Sequence, residues 1–229
     1  MTAGGIRPDI AARRIGHEAQ PIVIVEGFHP DPDALRAHAA TAKFNPARNH
    51  YPGLRADLPP DYFARIRPAL AATLSGVFGH TRPLSLIDAS YAMVTTPPAQ
   101  LTRAQRLPHV DAVDPQRIAL VHYLHPENRD GTAFYRHRAT GYETLDADRA
   151  PAYLAALDAE RRNGMEPPPG YLTGSNAQYD QVASVVARYN RAVLYRSALL
   201  HSGAIASDTV LSEDPATGRL TITAFLLLG

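Results

Sequence analysis

Twenty prolines punctuate this chain of 229 residues, and no other feature limits its fold as much. Proline fixes φ and has no N–H to donate, so it interrupts helix interiors and central strands. The segments between prolines should be short, and several have the length and β-branched content of strands. Pro21-Ile22-Val23-Ile24-Val25 reads as a buried strand, and Leu84 to Thr96 as one or two more. Ile118 to Leu124 alternates, with Ala119, Val121 and Tyr123 on one face and Ile118, Leu120 and His122 on the other. The turn from Pro126 to Gly131 leads into Thr132-Ala133-Phe134-Tyr135, so the two runs read as a hairpin or as adjacent strands. Arg191 to Tyr195, Leu199 to Ile205 and Arg219 to Leu228 complete the set, the last after a polar hairpin loop from Ser207 to Gly218.

Helical spacing is confined to a few stretches. Phe28 to Asp33 opens a helix that Asp31 or Asp33 can cap, with Leu35, Ala39 and Ala42 on one face. A second helix is expected from about Asp61, with Phe63, Ile66, Leu70, Leu74 and Val77 in register. Pro68 inside that pattern predicts a kink or two short helices. The turn-rich loop Asn49 to Arg55 separates the two. From 139 to 190 the pattern reads as a helical insertion between strands. Pro151 to Asn163 is one helix with Gly164 as its C-terminal cap. After the break Pro167-Pro168-Pro169-Gly170, Ser175 to Tyr189 reads as another, with Tyr179, Val182, Val186 and Tyr189 on one face. The expected organisation is one domain: a loose N-terminal arm (1–20), a strand and helical support layer (21–82), and a strand-rich core (83–229) carrying the insertion. That is a mainly β, α+β architecture, a sandwich or small barrel braced by helices.

Composition excludes several classes. A formal charge of +1 offers no basic excess for nucleic acid. No apolar run approaches about 20 residues, so no membrane span is expected, and the first 20 residues lack the apolar core of a signal peptide. With no cysteine there are no disulfides, thiolate metal sites or thiol nucleophiles. The expected compartment is the cytoplasm.

Chemistry concentrates between Leu107 and His137. His109 and Asp111 are two apart, so on an extended backbone their side chains point the same way. An imidazole and a carboxylate converging on one point make two-thirds of the two-His-one-carboxylate triad that holds non-haem Fe(II) with open positions. The pattern alone is weak and needs a second histidine from a later strand. Of His122, His125, His137 and His201, only His201 lies in a distant strand-like segment, LLHSGAI. Taken singly, each of these histidines also reads as a surface or hydrogen-bonded core residue. On the last strand Arg219, Thr221 and Thr223 share one face. No acid on that face pairs with Arg219, and a bound carboxylate would suit its two-pronged guanidinium; the alternative is an arginine at the strand mouth that reaches solvent.

Taken together, HVD, VHYL, a Gly-Thr-x-Phe turn, LLHSG and GRLTITAFL resemble, in that order, the prolyl-4-hydroxylase-like branch of the Fe(II)/2-oxoglutarate oxygenases. The matched motifs run from about Leu107 to Leu228, and IVIVEGFHPDPDALRAHA resembles that family's opening more loosely. The resemblance implies a double-stranded β-helix core of jelly-roll, cupin-like type. It implies Fe(II) held by His109, Asp111 and His201, with 2-oxoglutarate and O2 as cosubstrates. Arg219 would pair with the distal 2-oxoglutarate carboxylate, helped by Tyr123 and Thr223, with Thr221 the lesser candidate. The chain departs from the family in a long His201-to-Arg219 gap and in the large 139–190 insertion. Asp111 is a true carboxylate, which favours hydroxylation over halogenation.

The implied substrate is a small molecule, an amino acid or a peptide residue. Arg55, Arg136 and Arg138 can meet a substrate carboxylate or can be solvated loop arginines. The insertion, with Tyr142, Tyr153, Tyr171 and Tyr179, can form a lid. A cupin-like metal-binding protein would keep the histidines without needing Arg219, Thr223 and Tyr123 together. A non-catalytic ligand-binding barrel would not need Asp111 and both histidines.

Overall fold

A computed structural model of the protein describes residues 8–47, 51–82 and 84–229. In chain order its elements are β1 (Asp9–Ile15), β2 (Gln20–Glu26), α1 (Pro32–Thr41), β3 (Asn45–Pro46), β4 (Gly53–Ala56), α2 (Tyr62–Phe78), β5 (Leu84–Val94), β6 (Arg117–Tyr123), β7 (Gly131–His137), α3 (Arg149–Arg162), β8 (Tyr179–Val186), β9 (Arg191–Arg196), β10 (His201–Ala204) and β11 (Leu220–Leu228). Eight strands form a major sheet in the order β1-β2-β9-β6-β11-β5-β4-β3, and three form a minor sheet, β10-β7-β8. Every strand pairing is antiparallel.

Period-two alternation divides the buried residues into layers. One face of the major sheet presents Val23, Val25, Ile118, Leu120, Leu194, Ile222 and Leu226 to Leu35 and Ala39 of α1 and to Ile66, Leu70 and Leu74 of α2. The opposite face presents Ile22, Ala119, Tyr123, Val193 and Tyr195 to Phe134, Val185 and Leu199 from the minor-sheet side. A third cluster lies on the outer side of the minor sheet, where Ala133, Tyr135, Tyr179 and Leu200 meet Tyr153 of α3, Leu107, Leu145 and Leu172. The result is a mainly β sandwich with helices on its outside. No helix among the described residues is long and apolar enough to cross a membrane.

Helix ends follow the local chemistry. The Asp31 carboxylate accepts the Ala34 N–H at 3.0 Å and caps α1. Gly164, at φ +75°, follows the end of α3 as expected.

Several expectations need correction. Residues 9–15 of the supposed loose arm form edge strand β1, residues 16–19 form a turn and Gln20 opens β2; residues 1–7 lie outside the described residues, as do Asn49 and His50 of the expected turn-rich loop. β1 escaped notice because six of its seven residues are exposed or half-exposed, which erases the apolar alternation. The end of that loop, Gly53–Ala56, is strand β4. α2 runs unbroken through Pro68, because Pro68 sits on the exposed side, where the Ala64 carbonyl it fails to bond can be hydrated. The expected helix over Ser175 to Tyr189 is instead β8, paired along β7. The insertion is therefore helical only in α3.

Neither expected hairpin forms. β6 and β7 lie in different sheets, as do β10 and β11, so both connections cross the sandwich. The first crossing turns at Asp130 (φ +61°) and Gly131 (φ +143°). A Cβ on Gly131 would lie 1.9 Å from the Val185 carbonyl oxygen, so only glycine fits that corner.

A buried polar knot ties the helical layer to the sheet. The His122 ring, fully buried, meets the Tyr62 hydroxyl at 3.2 Å through Nδ1 and the Asn190 side-chain oxygen at 3.0 Å through Nε2. Asn190 also accepts the His29 N–H and donates to the His29 carbonyl, both at 2.9 Å. Burial pushes His122 down to about 3, the Asn190 bond opposing and His29 adding to the fall. An unfolded histidine titrates near 6.5. Between pH 6.5 and about 3 the unfolded chain therefore binds a proton that the folded one refuses, and stability is lost as the pH is lowered, by up to about 1.4 kcal/mol per unit from this residue. Urea unfolding from pH 7 to 4 should show that dependence shrinking by about that slope in His122→Gln. Parallel curves for wild type and variant would mean that His122 is not held neutral.

Candidate metal centre

The centre is built on a backbone bridge. His109 and His201 are opposite one another, each donating its N–H to the other's carbonyl at 2.9 Å. Opposed residues of an antiparallel pair project side chains to the same side, and the two imidazole centroids lie 4.4 Å apart. Asp111, two residues on, has its N–H bonded to the Ser197 carbonyl at 2.9 Å, which continues the extended pairing and turns its carboxylate the same way. His109 Nε2 is 3.8 Å from Asp111 Oδ1, and His201 Nε2 is 3.5 Å from Oδ2. One ligand atom from each of the three residues lies within 4.8 Å of the others. Atoms bonded to one ion at about 2.1 Å and at right angles lie about 3 Å apart, so the trio needs only a small contraction to hold a metal.

The protonation states suit ligation. His201 Nδ1 is 2.8 Å from the Leu199 carbonyl oxygen; donation there assigns the proton to Nδ1 and leaves the Nε2 lone pair facing Asp111. Burial holds His201 down at about 4, the Leu199 bond opposing. His109 is also at about 4: crowding around its nitrogens dominates, His201 adds, and Asp111 opposes. Its side chain is nevertheless 57% exposed, so of the three it is the one that opens to solvent. Burial raises the Asp111 carboxyl, against His109, Arg117 and Arg55. Asp111 Oδ2 is buried with no hydrogen-bond partner. A buried carboxylate oxygen without a partner is costly, and a cation at this point satisfies it.

The chain matches the family model described as Family of unknown function (DUF6445) over residues 6–226. It is a DUF6445 protein. No curated protein matches it. Among solved structures similar to this DUF6445 chain, an N-substituted L-amino acid dioxygenase from Burkholderia ambifaria AMMD is 14% identical with a TM-score of 0.49, over 96% of this chain and 94% of that one. AviO1 from Streptomyces viridochromogenes Tue57 is 17% identical with a TM-score of 0.48, over 94% and 90%. HygX from Streptomyces hygroscopicus, crystallised with nickel, 2-oxoglutarate and hygromycin B, is 13% identical with a TM-score of 0.47, over 92% and 84%.

In this DUF6445 sandwich the other expected residues separate into two groups. Arg219 is buried just before β11. Its Nη2 donates to the Gly131 carbonyl at 2.8 Å, and its Nε lies 3.9 Å from Asp130 Oδ2, buried and without a hydrogen bond. Arg219 thus does not reach solvent, and its nearest acid comes from the sheet-crossing turn rather than from its own strand. Tyr123 joins its hydroxyl to Thr132 at 2.7 Å, and Thr221 donates to the Ala92 carbonyl at 3.0 Å. Thr223 accepts from Arg55 at 3.0 Å. Arg136 and Arg138 belong elsewhere: both pair with Asp180, at 2.7 and 2.5 Å, and neither is brought to the triad.

Two tyrosines near Arg219 escaped sequence reasoning. Tyr51 hydrogen-bonds Thr221 and feels Arg219. Tyr171 donates to the Thr96 carbonyl at 2.7 Å and also feels Arg219. Only tertiary structure brings them together, although both lie in stretches already singled out. Of the other insertion tyrosines, Tyr153 and Tyr179 bond each other at 2.7 Å in the outer core, and Tyr142 lies under Arg149.

Ni(II) at 100 times its dissociation constant should stabilise the wild type by about 2.7 kcal/mol in urea unfolding. Asp111→Asn should lose most of that gain while being no less stable than wild type without metal. No metal-induced gain in the wild type would rule out the trio as a metal site.

Proposed function

We propose that this protein is an Fe(II)- and 2-oxoglutarate-dependent oxygenase of the prolyl-4-hydroxylase-like branch, a cytoplasmic enzyme that hydroxylates a small molecule, amino acid or peptide residue. The observation that carries this reading is the convergence of His109, Asp111 and His201 around a buried, unpartnered carboxylate oxygen. Two neutral imidazoles and one carboxylate are the donor set of the non-haem Fe(II) facial triad, which leaves open positions. Iron so held, with 2-oxoglutarate and O2, supplies the oxidising chemistry, and succinate and CO2 are released.

The protein's own share is binding and exclusion. The Leu199 carbonyl fixes the His201 tautomer. Arg219, its Nε free of hydrogen bonds, offers one prong of a charge-assisted pair to the distal carboxylate of 2-oxoglutarate. Thr221, Tyr51 and Tyr123 supply hydroxyls around that end. Val121, Val193 and Phe225 on the same face of the major sheet keep water out.

A second reading has one observation in its favour. Gly131 and Asp130 already take part of the Arg219 guanidinium, as in a cupin-like metal-binding protein without 2-oxoglutarate turnover. Anaerobic titration of the Fe(II)-loaded protein with 2-oxoglutarate separates the two. A visible charge-transfer band should appear in the wild type and vanish in His201→Ala. In Arg219→Met the apparent dissociation constant should rise about 10- to 100-fold, the loss of one charged pair. Iron binding without a band would establish the cupin-like reading instead.

A further inference from the structure

Two cations of the inner face, Arg55 and Arg117, have no acid within ion-pair reach among the described residues, and Arg55 is the one that reaches the last strand's hydroxyls. Arg55 projects from β4 on the same face as Thr221 and Thr223: Arg55 is opposite Ala92 of β5, Ala92 is opposite Thr221, and Ser90 is opposite Thr223. Its Nη1 donates to Ser90 Oγ at 2.8 Å and to Thr223 Oγ1 at 3.0 Å, and its guanidinium lies 4.7 Å over the Tyr51 ring. Two neutral hydroxyls and an aromatic face hold it in place without neutralising it. Among the described residues no acid forms an ion pair with it, whereas Arg136, Arg138, Arg149, Arg191 and Arg219 all have one. Arg55 also lines a recess of about 100 Å3 with Lys43, Asn45, Ala56, Asp57 and Ser90.

Arg117 projects from β6 on the same face, since Arg117 and Ala119 are two apart and Ala119 belongs to the inner core. Arg117 lies 5.7 Å over the Phe225 ring with its Nε buried and unpartnered. The register places Arg55 to the side of the path between the triad and Arg219. His201 packs on Tyr195, which is opposite Ala119, one row from the Val121–Thr223 pair that Arg55 reaches.

A charge count then identifies what is missing. Iron and 2-oxoglutarate together with Asp111 leave one negative charge. Arg219 and Asp130 cancel, and Arg55 and Arg117 turn the balance to one positive charge; the recess beyond Arg55 adds one lysine and one aspartate, Lys43 and Asp57, and no net charge. A dicarboxylate held at the iron and at Arg219 has no third anionic group for Arg55. We infer that the primary substrate of this site carries a carboxylate, and that Arg55 is the residue that holds it. The guanidinium meets a carboxylate in two-pronged geometry, and its position beside the triad orients the rest of the molecule toward the metal. This inference rests on the oxygenase reading of the site.

The test uses the full chain loaded with Zn(II) and 2-oxoglutarate, which gives a binding readout without turnover. Saturation-transfer NMR would compare a library of small aliphatic, aromatic and N-acetyl-amino carboxylates with their primary amides. Acids should bind the wild type at least about tenfold better than the matched amides. Arg55→Met should abolish that preference, and Arg55→Lys, which keeps the charge without the fork, should retain part of it and serve as the control for folding. If 2-oxoglutarate does not bind the metal-loaded wild type, the oxygenase reading falls and takes this inference with it. If 2-oxoglutarate binds but acids and amides bind alike, or the preference survives in Arg55→Met, the inference alone is overturned. Loss of 2-oxoglutarate itself in Arg55→Met would make Arg55 the cosubstrate's anchor and overturn it as well.

Discussion

Two backbone hydrogen bonds between His109 and His201 set the geometry on which the site depends. They join a segment with no strand of its own to the first residue of β10, the edge of the minor sheet. Because the bonds are reciprocal, the pair has the direction and spacing of a sheet rung, and both imidazoles project to the same side, His201 buried and His109 open to solvent. Asp111 inherits its direction from the same extended backbone through the Ser197 carbonyl. Three ligands from two segments about 90 residues apart are thus aligned by main-chain pairing, and side-chain packing refines what the ladder has set.

The surrounding structure leaves that alignment polar and unmet. The knot around His122 and Asn190 is bonded at both His122 ring nitrogens and at both ends of the Asn190 amide, and the Glu160 carboxylate between α3 and the minor sheet meets both His137 and Gln178. At the triad the distances of 3.5 and 3.8 Å are too long for strong hydrogen bonds, and Asp111 Oδ2 has no partner. Among the described residues Asp111 Oδ2 is the one buried carboxylate oxygen without a hydrogen-bond partner. The exception coincides with the one cluster of three metal-ligating side chains among the described residues. Local cost of this kind is expected where a ligand completes the structure.

What was legible in the sequence was local. His109 and Asp111 declare their shared direction by spacing alone, and the alternation of Ile118 to Tyr123 separates the two faces that the structure buries in different layers. Tyr179, Val182 and Val186 fit a helix and a strand equally well, and the edge position of β8 beside β7 decided for the strand. β1 was hidden for the opposite reason: an edge strand with little to bury carries no periodic signal. The sheet crossings were illegible because a turn such as Pro126 to Gly131 looks the same whether the next strand returns to its neighbour or crosses to another sheet. From that ambiguity came the largest gap in the reading of the site, since the crossing at Gly131 is what places Asp130 beside Arg219.

That placement gives Arg219 two partners of unequal strength. The Gly131 carbonyl is a normal hydrogen bond at 2.8 Å, whereas Asp130 stands at 3.9 Å and is itself engaged by the Ala206 N–H and the Thr209 hydroxyl. A carboxylate that has turned toward the loop after β10 neutralises the buried guanidinium through its field without filling its donors. The arginine is therefore kept in the interior at tolerable cost, as buried charges require, yet one edge remains available to an incoming carboxylate. A closer, two-pronged Asp130 pair would stabilise the fold and close the site. The looser contact leaves the Arg219 Nε without a hydrogen bond, and through Asp130 it links the loop carrying Ala206 and Thr209 to Arg219.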